Sequence, residues 1–347
     1  MNLLEVKNLN IEYVTQEGIL NAVEDVSFTL KQGESLGLVG ESGCGKTTLA
    51  KSIMRLLPKN GRISSGEMIF KGEDIVKKNN EEIRKLRLKE IAMVSQSAMN
   101  ALNPVYTVGE QLIEGIRAHS NMTKAEATKR AEEVFEIIGL EAKRLKSYPH
   151  QMSGGMKQRA IIAMALTLNP SLIIADEPTT ALDVVVQDKI LNQILQIQKQ
   201  INSSMVFITH DISVVSEICD TIIVMYGGKI MEKSSTKTFF KAPYHPYSLG
   251  LQNAFPSILE ISDELISIPG SPPNLMKEQK GCRFQARCPF RTELCQNELP
   301  KLKEVDKEHF VACHYTEDIN TFRRKAKKRE TWKHVQERLI LEDRGDE

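Results

Sequence analysis

Apolar and polar residues alternate from the start of the chain, with Leu3, Leu4 and Val6 set among polar neighbours. Residues 3–39 carry this period and are punctuated by turn residues, which predicts short strands. A helix is expected from 47 to about 57, and strands at 66–70 and 91–94. A helix-rich stretch covers about 97–168. Within it, 124–139 places Ala127, Ala131, Val134, Phe135 and Ile138 at helical spacing and ends on Gly139. The run 172–175 is wholly apolar between Pro170 and Asp176, the pattern of a parallel strand buried on both faces. A helix at about 184–200 and buried strands at 206–209 and 222–226 follow. Strands alternating with helices predict an α/β sheet.

The periodicity fades after about Ser235, where Pro243, Pro246, Pro256, Pro269, Pro272 and Pro273 punctuate the chain. This predicts a second, irregular domain. Near the end, Arg323, Arg324, Lys325, Lys327, Lys328 and Arg329 form a basic block before the acidic Glu342, Asp343, Asp346 and Glu347. A solvated or frayed helix is expected there, with contact to acidic lipid headgroups as the alternative. Across 347 residues, 46 basic and 45 acidic side chains nearly cancel, so charge gives no argument for nucleic acid. The longest apolar stretches, such as 160–166, fall far short of the roughly 20 residues of a membrane span. The N-terminus lacks the basic end and apolar run of an export signal, so a soluble chain in a reducing compartment is expected.

Chemistry enters at Gly40-Glu41-Ser42-Gly43-Cys44-Gly45-Lys46-Thr47, between a predicted strand and a predicted helix. This is the phosphate-loop pattern in its required context. Glycines let successive N–H groups turn toward phosphate oxygens, and the helix start adds positive dipole. Lys46 is expected to reach the β- and γ-phosphates, with Ser42, Thr47 and Thr48 in the same cradle and Thr47 as a Mg2+ ligand. Cys44 reads as a small filler in the loop. The apolar run 172–175 ends in Asp176 and Glu177. Asp176 is expected to hold Mg2+ through water and Glu177 to polarise the attacking water. His210 closes another apolar strand and is placed against the γ-phosphate.

Ser153-Gly154-Gly155-Met156-Lys157-Gln158-Arg159 stands before a predicted helix and offers a second phosphate receptor. It resembles the signature motif of ABC ATPases. The resemblance covers about 3–240 and implies that Ser153, Gly154 and Gly155 serve the nucleotide on an opposite subunit. It also implies adenine stacking by Tyr13, γ-phosphate sensing and Mg2+ contact by Gln96, a dimer-seam role for Asp183 and a switch role for His210. The implied fold has a mixed-sheet core, an antiparallel β subdomain and a helical subdomain. The segments Pro149-His150-Gln151-Met152, Asp176-Glu177-Pro178-Thr179-Thr180-Ala181-Leu182-Asp183, His245-Pro246-Tyr247, Gly281-Cys282-Arg283-Phe284 and Arg287-Cys288-Pro289 resemble the D-type ATPases of oligopeptide and dipeptide permeases. This extends the match to about 315. Met152 stands where leucine is usual, and Ser95 and Ser97 flank Gln96 in place of an aromatic residue and an acid.

Cys282, Cys288, Cys295 and Cys313 suit either a 4Fe–4S cluster or structural zinc, with four unmetallated thiols in a small core as the alternative. His309 and His314 lie close enough in sequence to join a zinc site. The short cysteine hooks of zinc sites are absent, and similar permease ATPases carry an iron–sulfur cluster here, so the resemblance implies the cluster. The expected organisation is an ATPase domain over 1–240, a C-terminal cysteine domain over 241–320 and a charged tail over 321–347. The expected function is ATP hydrolysis for oligopeptide or dipeptide import, with nickel, metal chelates or oligosaccharides as alternative cargo and a soluble ATPase of ribosomes or DNA as the rival. By resemblance the partners are an F-type ATPase subunit, two membrane permease subunits and an extracytoplasmic binding protein, with the chain peripheral on the cytoplasmic membrane face and no nucleic acid.

Overall fold

Strand β1 (Asn2–Thr15) pairs antiparallel with β2 (Gly18–Lys31), and both are longer than the alternation alone suggested. The computed structural model describes residues 1–95, 101–178, 184–254, 266–277 and 279–345. Gln96 and Asp183 therefore lie outside the described residues, as does Pro256. After β3 (Ser35–Val39) and helix α1 (Lys46–Ile53), strands β4 (Gly61–Phe70) and β5 (Glu73–Asp74) complete a small antiparallel sheet in the order β2-β1-β4-β5. Helix α2 (Asn80–Leu86), held by an Asn79–Glu82 capping box, leads into β6 (Ile91–Val94).

The helical stretch contains α3 (Val108–His119), α4 (Lys124–Ile137) and α5 (Gly154–Leu166). Thr107 and Thr123 open the first two with capping boxes, closed by Glu110 and Glu126. Alpha-4 buries Ala127, Ala131, Val134 and Phe135, the stripe its sequence spacing marks. Next come β7 (Leu172–Asp176), α6 (Val184–Gln200), β8 (Ser204–Ile208), α7 (Ile212–Ile218), β9 (Thr221–Tyr226) and β10 (Lys229–Ser235).

Period-two geometry explains the unbroken apolar runs 172–175 of β7 and 205–208 of β8. Leu172, Ile174, Val206 and Ile208 enter the cluster shared with β1, β2 and α1, while Ile173, Ala175, Met205 and Phe207 enter the cluster shared with the helices. Both faces of the central sheet are thus covered.

Beyond residue 235 the chain is more regular than its prolines suggested. It forms α8 (Thr236–Lys241), α9 (Pro246–Asn253), α10 (Glu293–Asn297), β11 (Lys303–Asp306), β12 (His309–Val311), α11 (Ile319–Ala326) and α12 (Arg329–Gly345). Beta-12 pairs antiparallel with β10 and extends the main sheet to β11-β12-β10-β9-β3-β8-β7-β6. The charged end is not merely solvated. Ile319, Phe322, Ala326, Trp332 and Val335 are buried, and Phe322 stacks on Phe290 with centroids 4.1 Å apart.

Candidate functional site

The parallel strands β3, β7 and β8 lie side by side and end together, which gathers the residues that follow them. After β3 the chain turns through Gly40, whose φ of 147° suits glycine. A Cβ there would lie 2.2 Å from the Met225 carbonyl oxygen, so β9 itself forbids a side chain. Alpha-1 starts at Lys46, with Gly45 as its N-cap. The Lys46 ammonium is buried and donates to the carbonyls of Gly40 at 2.7 Å and Glu41 at 2.9 Å, across the mouth of the loop. Cys44 is buried under the loop, and burial pushes its thiol up, as befits a filler.

Thr47 Oγ1 donates to Asp176 Oδ1 at 3.1 Å, joining the start of α1 to the end of β7. Asp176 is 2% exposed; burial raises its carboxyl, and the Thr47 hydrogen bond opposes that rise. The next residue, Glu177, adopts φ 47° and donates its N–H to Ile208 of β8 at 2.9 Å. Its Oε1 lies 3.2 Å from His210 Nδ1, which follows β8. Three strand ends thus bring Lys46, Thr47, Asp176, Glu177 and His210 into one place. Hydroxyl and carboxylate oxygens meeting at Thr47 and Asp176 fit a hard divalent cation such as Mg2+.

Tyr13 sits on β1 opposite Gly61, and its hydroxyl lies 3.1 Å from Thr48 Oγ1. Its ring therefore flanks α1. Ser42 and Gly43 are exposed on the loop. Ser153 is exposed at the N-cap of α5, where its Oγ accepts the N–H of Met156 at 3.3 Å, and Gly154 and Gly155 form the first turn.

Contacts that the motifs did not indicate bind this site to the rest of the chain. Gln158 is buried and donates to the Pro178 carbonyl, linking α5 to the turn after Glu177. Glu41 is paired with Arg287 and bonded to Tyr247. The only sequence signal for these was their presence inside motifs singled out for other reasons.

The expected metal centre of the C-terminal region is corrected. Cys282, Cys288, Cys295 and Cys313 do line one cavity, with Phe284, Phe290 and Phe322, but it holds only about 20 Å³, room for one water-sized group. Among the described residues, no group of three or more His, Cys, Asp or Glu side chains is placed to hold a metal ion. Burial raises the thiols of Cys282 to about 12 and Cys313 to about 11, and raises that of Cys288 as well. Of the two histidines close in sequence, His309 Nε2 lies 2.7 Å from Glu232 Oε1, and His314, which lines the cavity, has its Nε2 2.9 Å from the Glu298 carbonyl oxygen. Neither a 4Fe–4S cluster nor zinc is supported, because spacing alone does not distinguish ligands from thiols packed in an aromatic core.

Residues 23–180 match the family model of the ABC transporter, and residues 231–295 match that of the oligopeptide/dipeptide transporter C-terminal region. The chain is 46% identical over 313 residues to the oligopeptide transport ATP-binding protein OppD of Escherichia coli, covering 90% of this chain and 92% of that one. It is 43% identical over 312 residues to the dipeptide transport ATP-binding protein DppD of Lactococcus lactis, covering 89% of each. Among solved structures, a dimeric ATP-binding cassette in a post-hydrolysis state with ADP and Pi superposes with a TM-score of 0.61 at 30% identity. That match covers 67% of this chain and 98% of the other.

Proposed function

The chain belongs to the ABC transporter family, in its oligopeptide and dipeptide branch, and from that premise we propose how its residues carry out the work. It is the ATP-binding subunit of an importer of oligopeptides or dipeptides, and it hydrolyses ATP in a reaction coupled to transport. Among the described residues no helix is long and apolar enough to cross a membrane. We place the chain on the cytoplasmic membrane face, peripheral to two permease subunits that a binding protein supplies with peptide. Its ATPase partner is a related F-type subunit.

The observation that carries the catalytic reading is the convergence of Thr47, Asp176, Glu177 and His210 through two short contacts, 3.1 Å and 3.2 Å. Lys46 and the loop N–H groups of Gly40, Ser42, Gly43, Cys44 and Gly45 receive the triphosphate, and Tyr13 stacks on the base. Thr47 and Asp176 would hold Mg2+, and the family resemblance assigns Gln96 to the same ion. When bound, this ion neutralises charge on the β- and γ-phosphate oxygens. Glu177 accepts a hydrogen bond from the attacking water and takes its proton as the water attacks, and His210, within reach of the same carboxylate, orients that carboxylate and faces the γ-phosphate. Ser153, Gly154 and Gly155 complete the site of the opposite subunit, with Asp183 at the seam. The ATPase domain is assigned to 1–240, with the helical subdomain at about 97–168 facing the permease. The C-terminal region follows at 241–320 and the tail at 321–347.

Glu177→Gln keeps the shape and removes the base. Turnover in the assembled importer should fall by about a hundredfold or more, with ATP retained. Near wild-type hydrolysis by this variant would remove Glu177 from the role.

A further inference from the structure

Glu41, the second residue of the phosphate loop, is held at three separate atoms. Its N–H donates to the Tyr247 hydroxyl at 2.9 Å, its Oε2 lies 2.6 Å from Arg287 Nη1, and its carbonyl accepts from Lys46 at 2.9 Å. Two of these three partners come from beyond residue 240.

Both partners are themselves immobilised. Arg287 is 3% exposed; its other donors reach the carbonyls of Pro269 at 2.8 Å and Ile268 at 3.2 Å, and the Tyr226 hydroxyl at 3.2 Å. Tyr247 is fully buried, with its ring 4.7 Å from Tyr226 and 5.2 Å from Phe284. Tyr226 closes β9, the strand whose next-to-last residue, Met225, bounds Gly40. The C-terminal region thus grips the loop at the point where its backbone is most tightly constrained. Charge gives the grip a second consequence. Glu41 is a partly buried carboxylate beside a site for a polyanion, and a partly buried charge is screened weakly. Without a fixed cation it would repel the triphosphate.

We propose that Arg287 and Tyr247 are positioning residues for ATP: they fix Glu41, and with it the turn from Gly40 to Lys46, and Arg287 cancels the carboxylate that would oppose the phosphates. The C-terminal region then sets the ATP affinity of the phosphate loop. This rests on reading Gly40 to Thr47 as the ATP site.

The test uses the full chain in the assembled importer, with steady-state KM and kcat for ATP. Arg287→Met, similar in length and uncharged, should raise KM about tenfold and leave kcat within about twofold. Adding Glu41→Gln removes the repelling carboxylate and should return KM to within about threefold of wild type. If Arg287 only fastened the Ile268 and Pro269 carbonyls, Glu41→Gln would not rescue it; that result, or an unchanged KM in Arg287→Met, overturns the proposal. Should Arg287→Met fail to fold, Tyr247→Phe keeps the ring packing and removes the acceptor. It should raise KM about threefold, and an unchanged KM counts against the proposal. Lys46→Ala run in parallel separates the two levels. Retained ATP binding by Lys46→Ala would sink the site reading, whereas lost binding there with a normal Arg287→Met would sink the positioning role alone.

Discussion

At the scale of single residues, backbone geometry decides what the phosphate loop tolerates. Gly40 combines a φ of 147° with a Cβ position 2.2 Å from a carbonyl oxygen of β9. Neither a rotamer change nor a small shift relieves a clash with main chain. Gly40→Ala should therefore destabilise the protein by about 2 kcal/mol or more, lowering Tm by about 3 °C or more. Thermal unfolding without nucleotide checks this, and a shift near zero would mean the loop relaxes freely. Lys46, Thr47 and Asp176 were legible in the sequence because each follows an apolar strand within a short, consecutive pattern. Arg287 was visible only as part of a motif. No local pattern states that its guanidinium lies against Glu41, because the pairing depends on how β9, α9 and the segment before Cys288 pack. The cysteines misled for a related reason: their spacing is compatible with ligation, but convergence on a cavity of about 20 Å³ beside three phenylalanines is a tertiary outcome.

At the scale of elements, strands with two buried faces were easiest to foresee. Beta-6 matched its expected limits, and β7 and β8 came within a residue or two, since an apolar run between polar ends has few other uses. Beta-12 was not foreseen: at three residues it is too short for a periodic signal, and its place is set by pairing with β10. The charged tail shows how composition conceals a docking face. Basic residues dominate 323–329, yet Phe322, Ala326, Trp332 and Val335 are buried together, and Arg338 donates to the carbonyls of Ala286 and Cys288. Trp332, the only tryptophan of the chain, is 3% exposed, and its indole N–H donates to Ala326 at 2.8 Å. Its fluorescence should thus be blue-shifted from that of free tryptophan and weakly quenched by iodide. The emission of an exposed indole would instead mean that α11 and α12 do not dock in solution.

At the scale of the whole molecule, the two anion receptors proposed for this chain stand on different layers. One opens α1 at the end of the central sheet; the other opens α5 in the helical layer, where Ser153 stands exposed. If the second serves the opposite subunit, the two should fail independently. Ser153→Asp tests this with little disturbance, because aspartate caps a helix about as well as serine while placing a negative charge where a γ-phosphate is expected. The isolated subunit should then bind ATP within about twofold of wild type, since Lys46, Thr47 and Asp176 are untouched. In the assembled importer, hydrolysis at the partner's site should fall by about a hundredfold. Equilibrium binding of a fluorescent ATP analogue to the subunit and phosphate release from the importer measure the two quantities separately. A parallel loss of both would mean that α5 supports the chain's own loop, through a link such as the bond from Gln158 to the Pro178 carbonyl. Loss of hydrolysis alone is what a receptor lent across an interface requires, and it would make this chain's catalytic competence a property of the pair.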